Sequence, residues 1–397
     1  MDTAHELILA GGLLGLASII AGSLSARFGT PLLLVFLVLG MLVGEDGPVG
    51  IRFDDFQGSY LVGSLALAII LFEGGLKTTR RMLALAGWPA LALATVGVGL
   101  SAGIVGAAGV WLAGMSWTEA LLIGAAVAPT DAAAVAVLLR RAELALPERV
   151  LALLEVESGF NDPMSVFLIV LLVDLLITPS GISAAHAGLL FAREMGGGAL
   201  IGVGGGFALL VLLRHLPVEV SLSPALALCG ALVLFGGAQC LEASGFLAVY
   251  LTGVIVGTQP LAASSWVERF FEASGWLAQI VLFLLLGLLV TPHDLVPLLR
   301  PSLISAAALI FVARPIAAAA CLLPFGFPAR QVAFTAWMGL RGGVPIYLTI
   351  IPVLAGAKQG EALFSATFVI VLVSLVVQGW TVKPVARRLG FSGPLIK

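Results

Sequence analysis

The sequence predicts an all-α polytopic membrane protein with about 13 transmembrane helices, and three observations support this fold class. Of 397 residues, 60% are hydrophobic and only 11% are charged, whereas a soluble domain carries about a quarter charged residues. Many apolar runs are long enough to cross a hydrocarbon core of about 30 Å. These runs lack the period-two alternation of barrel strands and exceed their length of about ten residues, so we predict helices rather than a β-barrel.

Each predicted helix is one apolar run. In chain order, the runs cover residues 6–25, 31–44, 60–76, 86–114, 119–139, 150–177, 188–213, 222–240, 245–258, 275–290, 301–323, 330–352 and 361–382.

The Lys and Arg residues between the helices predict the orientation. Most of them fall on one side of the membrane, and the exceptions are Arg52, Arg193, Arg300 and Lys358. Because cytoplasmic loops carry the excess of Lys and Arg, we predict a multi-pass protein of the cell inner (plasma) membrane with the N-terminus outside and the C-terminus cytoplasmic. No Lys or Arg precedes the first helix, which argues against a cleaved signal peptide.

The third predicted helix ends with a carboxylate. Glu73 lies just before Lys77, Arg80 and Arg81. One interpretation is a helix-end carboxylate paired with these bases. The other places Glu73 at the cytoplasmic entrance of an ion path or among the ion ligands.

The fifth and twelfth predicted helices are interrupted, at 128–131 (APTD) and 340–345 (LRGGVP). Matching interruptions are typical of transporters with inverted repeats, here helices one to six and eight to thirteen with the seventh as a linker. Proline and glycine free backbone carbonyls that can bind a cation. Ordinary proline kinks are the alternative, but charged Asp131 and Arg341 beside the breaks favour a binding site. Asp131 either caps the following half-helix or binds the ion directly.

The sixth predicted helix places carboxyl groups at bilayer depth. Ser158 and Asp162 are four residues apart and share one face, and the same spacing relates Glu157 to Asn161. Asp162, Ser158 and a freed carbonyl at Thr130 offer the oxygen ligands that a hard cation prefers. Desolvation favours the protonated form of a carboxyl group, so a proton competes with the cation at this site.

Two arginines also fall within predicted helices. Arg341 keeps its charge at any ordinary pH and requires a buried anion, for which we predict Glu157 in a structural ion pair. Arg314, in the eleventh helix, is predicted to belong to another internal ion pair. Asp174 is predicted to lie near the outer surface, in contact with solvent.

Several other classes of site find no support. The four histidines and three cysteines are scattered, so we expect no transition-metal site and no cofactor. No basic cluster indicates nucleic acid. The glycines of 198–206 follow no predicted strand, and their spacing is typical of packed helices rather than of a nucleotide site.

Four segments together resemble a known family. They are 72–75 (FEGG), 128–131 (APTD), 157–163 (ESGFNDP) and 339–343 (GLRGG). In this order they resemble the NhaP-type branch of the monovalent cation:proton antiporters. The resemblance implies an NhaA-like fold of 13 helices, assembled as a homodimer in the lipid membrane, with a core bundle that moves against a dimerisation scaffold.

The resemblance also assigns domains and site residues. Helices one to three (1–80) and the linker helix seven with helices eight to ten (181–295) would form the scaffold. Helices four to six (81–180) and eleven to thirteen (296–390) would form the core, and 391–397 a cytoplasmic tail. Asp162 would carry the cation and proton beside Asn161. Ser158 and the Thr130 carbonyl would complete the ion shell, with Glu73 as a further candidate, and Glu157 would pair with Arg341.

Individual residues within these motifs indicate the stoichiometry of exchange and the preferred cation. Asn161 before the aspartate implies electroneutral exchange of one proton per cation. Gly159 and Phe160 stand where many sodium exchangers have two leucines, so the resemblance favours K⁺ over Na⁺ or Li⁺. Members of the potassium/proton subgroup usually continue into a cytoplasmic regulatory domain, about which this sequence gives no information.

Two other functions stay open at this point. A cation channel would need an open pore with repeated filter carbonyls, and no TVGYG-like segment occurs. An intramembrane aspartyl hydrolase would need Asp131 and Asp162 within hydrogen-bond reach as an acid/base pair. We therefore predict a transporter rather than an enzyme.

Overall fold

The computed structural model describes residues 2–28, 31–142, 144, 146–177, 183–217, 219–261 and 264–391. These residues form helices joined by short turns, which confirms the predicted all-α class. In chain order the helices are α1 Asp2–Phe28, α2 Leu32–Val43, α3 Phe56–Lys77, α4 Arg80–Ala113, α5 Trp117–Ala126, α6 Ala132–Ala142, α7 Glu148–Ile177, α8 Ala184–His215, α9 Val220–Cys240, α10 Gly245–Gly257, α11 Ser264–Leu288, α12 Pro292–Phe325, α13 Ala329–Trp337, α14 Gly343–Leu354 and α15 Gly360–Arg388.

Many of these helices have the length and composition of membrane spans. Among the described residues, 8 helices are long and apolar enough to cross a membrane, and shorter apolar helices accompany them. Every predicted run overlaps one of the helices. The number of crossings stays a prediction, because length and composition alone do not define a crossing.

Both predicted interruptions are confirmed. The first separates α5, which ends at Ala126, from α6, which begins at Ala132. The second separates α13, which ends at Trp337, from α14, which begins at Gly343. Such non-helical backbone is tolerated at membrane depth only where protein or a cavity satisfies it.

The helices pack in two groups. In one, α3 packs on α10 and α11, α2 packs on α11, and α10 packs on α8 and α9. In the other, α4 packs on α5, α7 and α12, and α12 packs on α15. Glycines bring the first group together: a Cβ on Gly75 of α3 would lie 2.3 Å from the carbonyl oxygen of Tyr250 on α10.

The predicted packing face of 198–206 is confirmed in the same group. Gly198, Gly202 and Gly206 of α8 lie against α10, where a Cβ on Gly202 would come within 2.7 Å of the Ala248 carbonyl oxygen. Residues without side chains therefore let backbones approach closely.

A π-helical turn interrupts α12 at Leu309–Ala313, immediately before Arg314. Pro315 follows and has no N–H to donate into the preceding turn. The irregular turn lies where α12 presents Arg314 to the protein interior, and the Arg314 side chain is buried.

Candidate functional site

The two interruptions meet in the interior. The Asp131 N–H donates to the Leu340 carbonyl across 3.0 Å, joining one connection to the other. The Asp131 carboxylate lies directly against Gly342, where a Cβ would fall 1.7 Å from Oδ2. Only a residue without a side chain fits there, so the glycine of the second break makes the crossing possible.

The first break is held by α7. The Ser158 hydroxyl donates to the Thr130 carbonyl across 2.8 Å, and the Asn161 amide donates to the Thr130 hydroxyl across 2.8 Å. Asp131 caps α6, since its Oδ1 accepts the Ala134 N–H at 2.9 Å. The structure therefore agrees with the capping interpretation of Asp131, although its carboxylate also faces the cavity described next.

A cavity of about 360 Å³ runs from exposed Lys77 to buried Asp162. Ser158, Asp131 and Glu73 also line it, while its remaining walls are mostly apolar. Thr130 and Asn161, which the sequence also predicts to bind the ion, are not among the lining residues; they are joined to Ser158 through the hydrogen bonds to Thr130. Three of the predicted ion ligands therefore share one cavity with Asp162.

Asp162 is a buried acid that lines the cavity. Its side chain is buried, and its Oδ1 has no hydrogen-bond partner among the residues that the structure describes. A buried carboxylate oxygen without a partner costs free energy. The group is stable there only when a proton or a cation neutralises it.

Glu73 lies at the mouth of the cavity. It binds Lys77, one helical turn later, with Nζ 2.5 Å from Oε1. Gly275 of α11 leaves room for this carboxylate, because a Cβ there would lie 2.0 Å from Oε2. Both interpretations of Glu73 thus find support: it pairs with a helix-end base, and it lines the entrance.

The second break is held by α15. The Ser374 hydroxyl accepts the Arg341 N–H at 3.1 Å and donates to Gln378 Oε1 at 2.6 Å. The Gln378 amide in turn donates to the Trp337 carbonyl at 2.8 Å, at the end of α13. Side chains thereby satisfy backbone groups that the interruption leaves without helical partners.

The predicted ion pair between Glu157 and Arg341 is wrong. Glu157 instead binds Arg314, whose Nη1 and Nη2 lie 2.6 Å and 2.9 Å from Oε1 and Oε2. Arg314 reaches this position across Gly339, where a Cβ would lie 2.7 Å from its Nε. The physical reason is geometric: two parallel hydrogen bonds occupy both carboxylate oxygens, and α12 is placed to supply them.

Arg341 is fully buried, yet no described residue accepts a hydrogen bond from its guanidinium nitrogens. The prediction that Arg314 belongs to an internal ion pair is confirmed. Asp174, predicted to be solvated, is partly exposed and lies 3.1 Å from His186 Nε2.

Known proteins are similar to this chain in sequence and in fold. The family of transmembrane sodium/hydrogen exchangers matches residues 14–388, which is nearly the whole chain. The chain belongs to the sodium/hydrogen exchanger family. Membership supports cation:proton antiport, and it speaks against the channel and the hydrolase.

Two curated relatives of this exchanger are potassium antiporters by name. The K(+)/H(+) antiporter NhaP of Alkalimonas amylolytica is 43% identical over 394 residues, covering 99% of this chain and 68% of that protein. The K(+)/H(+) antiporter NhaP2 of Shewanella sp. (strain MR-4) is 42% identical over 388 residues, covering 97% of this chain and 67% of that protein.

A solved structure shares the fold. The sodium proton antiporter MjNhaP1 from Methanocaldococcus jannaschii superimposes with a TM-score of 0.79 at 23% identity, covering 94% of this chain and 100% of that chain. At this identity the likeness concerns the fold alone.

Sequence reasoning missed several residues of this exchanger's site. Ser374 and Gln378 form an i, i+4 polar pair within an apolar helix, and that pattern was an available signal. Tyr250 also lines the cavity, but its sequence neighbours are apolar and gave no indication of this role.

Proposed function

We propose that this exchanger moves a monovalent alkali cation against H⁺, with K⁺ favoured and Na⁺ or Li⁺ as alternatives, and with no net charge moved. The single observation that carries the proposal is the unpartnered Oδ1 of Asp162 at the buried end of the cavity. A proton and a cation each neutralise this carboxylate, so each excludes the other.

The neighbouring oxygens suit a cation that has lost part of its water. The Ser158 hydroxyl donates its proton to the Thr130 carbonyl, and Ser158 lines the same cavity as Asp162. Carboxylate, hydroxyl and carbonyl oxygens are the ligands of hard cations. We assign Asp162 as the carrier and Ser158 as a further ligand, with the Thr130 carbonyl orienting the Ser158 hydroxyl. Asp131 and Glu73 are assigned as carboxylates that attract the cation into the cavity.

Transport requires that the site open to each side in turn. The cavity reaches the end of α3 that carries Lys77, and the positive-inside rule assigns that end to the cytoplasm. We therefore propose a cytoplasm-open state. The group containing α4 to α7 and α12 to α15 would be the moving core, and α1 to α3 with α8 to α11 the scaffold, in keeping with rigid-body alternating access.

Electroneutral exchange follows from having one titrating carrier. Asn161 is uncharged, and its amide is engaged with Thr130, so it carries no second proton. Glu157 is engaged by Arg314 through both oxygens. The names of the two curated relatives support K⁺ as the first ion to test. A homodimer in the plasma membrane stays a prediction.

Proteoliposomes that contain a pH-sensitive dye test the proposal. We expect added K⁺ to dissipate an imposed proton gradient without valinomycin, and Na⁺ or Li⁺ to do so less effectively. A response that requires valinomycin would contradict electroneutral exchange. No response to any alkali cation would contradict antiport at Asp162.

A further inference from the structure

Tyr250 is an aromatic residue of the proposed scaffold that packs on the ion-carrying helix α7. It lies on α10, which packs on α3 through Gly75 and Gly253. Its ring rests on the backbone of Gly159 in α7, where a Cβ would lie 2.2 Å from two ring carbons. The contact therefore requires glycine at position 159.

Position 159 is close to the carrier. Gly159 precedes Asp162 by three residues on α7, so both lie on adjoining parts of one helix surface, and both line the cavity together with Tyr250. The edge of the ring also meets Phe160, with centroids 5.3 Å apart and an interplanar angle of 76°. The tyrosine thus contacts α7 beside its ion-binding residues.

The scaffold side of the contact is fixed. The Thr78 hydroxyl donates to the Gly74 carbonyl at 2.9 Å, so it accepts from the Tyr250 hydroxyl across 3.2 Å. Thr78 caps the end of α3 and is buried. The ring is therefore held from both α10 and α3, and it is fully buried itself.

We infer that Tyr250 is a positioning residue: its ring, seated on Gly159, stabilises the state in which the cavity is open toward Lys77. The inference rests on the proposed function, because it assumes that α7 moves against the scaffold. If α7 moves, the contact between the Tyr250 ring and Gly159 is lost in the state that is open to the other side of the membrane. The contact then favours one state over the other, and a ligand's apparent affinity depends on the population of the state that binds it.

The test compares apparent KM values for K⁺ on the two faces, in right-side-out and everted vesicles. For Tyr250→Ala we expect a higher apparent KM on the Lys77 face and a lower one on the opposite face, so that their ratio shifts about tenfold. A residue that only supports the fold would not move the two values in opposite directions. Equal changes on both faces, or none, would overturn the inference.

Gly159→Ala provides an independent arm. Its methyl group collides with the ring, so we expect a shift in the same direction. Because both substitutions disrupt one contact, Gly159→Ala combined with Tyr250→Ala should shift the ratio no more than Tyr250→Ala alone. An additive shift would overturn the inference. If Gly159→Ala does not fold, Tyr250→Ala still decides.

Phe271→Leu is the matched control. Phe271 packs on Phe72 with ring centroids 4.5 Å apart, and both residues belong to the proposed scaffold. We expect this substitution to leave the ratio of the two KM values as in the parent protein. A shift as large as that of Tyr250→Ala would show that any lost aromatic contact has this effect, and it would overturn the inference.

Cysteine labelling separates failure of this inference from failure of the proposed function. Leu151 lines the cavity, and Leu151→Cys in a background without native cysteines reports whether the cavity is open. We expect Tyr250→Ala to slow its modification from the Lys77 face, whatever ion is transported. Unchanged labelling would overturn the inference, whereas absent K⁺, Na⁺ and Li⁺ exchange with slowed labelling would count against the proposed function alone.

Discussion

Glu157 and Asp162 are both buried acids of α7, only five residues apart, but their surroundings differ. Glu157 has both oxygens bound by Arg314, whereas Asp162 has an oxygen that no described residue binds. Burial alone therefore does not identify a transport residue. The acid with a fixed partner stabilises the fold, and the acid without one is available to a transported ion.

The largest expected effect comes from neutralising the unpartnered acid. Asp162→Asn should reduce exchange by at least about 100-fold, the scale on which loss of a proton-transfer group acts. Its melting temperature should stay the same or rise, because a buried carboxyl group that needs a proton or a cation for neutralisation is replaced by a neutral amide. Dye-based exchange and thermal unfolding in detergent measure the two effects.

Asp174→Asn is the control for this substitution, since Asp174 lies on the same helix but is partly exposed. It should exchange normally. If Asp162→Asn still transported, or if it unfolded as readily as a variant of Glu157, the contrast between the two acids would fail.

Breaking the paired acid should act on stability instead. Arg314→Ala leaves Glu157 as a buried charge without its partner, and we expect a loss of about 3–5 kcal/mol in the free energy of unfolding. Arg341→Ala should cost less, because its guanidinium forms no hydrogen bond to a described residue. Thermal unfolding of the two variants side by side checks the order. A larger loss for Arg341→Ala would restore the original assignment of the ion pair.

The contrast between buried groups with and without a partner also applies to the backbone of the second break. Ser374→Ala removes the acceptor of the buried Arg341 N–H, and an unsatisfied buried donor costs about 1–3 kcal/mol. Thr367→Val on the same helix is the control, since the buried Thr367 hydroxyl has no hydrogen-bond partner within the described chain. Equal melting temperatures for the two variants would show that Ser374 does not hold the break.

The sequence was sufficient for local features and insufficient for tertiary partners. Pro129 and the glycines at 342 and 343 predict the interruptions, because these residue types disrupt the hydrogen bonds of a helix backbone in any fold. The shared face of Ser158 and Asp162 follows from helix geometry. The sequence does not identify the partner of Glu157, since Arg314 and Arg341 each carry the charge that would neutralise it. Only the position of α12, with Gly339 leaving room, decides for Arg314.

The smallest effect is expected at Asp46, an exposed carboxylate whose partner is His293. It accepts the His293 backbone N–H at 2.8 Å, and its carboxylate lies 2.8 Å from Nδ1 of the same residue. These contacts lower the pKa of Asp46, the backbone hydrogen bond most of all. A lowered pKa means that the stabilisation is present above the unfolded-state pKa of 3.8 and is lost as the pH falls through the lower folded-state value.

Asp46→Asn should therefore melt slightly below the parent protein at pH 6, and the two curves should converge as the pH is lowered toward 3. The difference should also shrink in about 1 M salt, because exposed charges are screened. It should be smaller than the effect of Arg314→Ala, since water competes for the exposed pair and not for the buried one. A difference in melting temperature that grows on acidification would contradict the predicted direction of the pH dependence. A difference as large as that of Arg314→Ala would show that burial does not determine how much a carboxylate is stabilised by its partner.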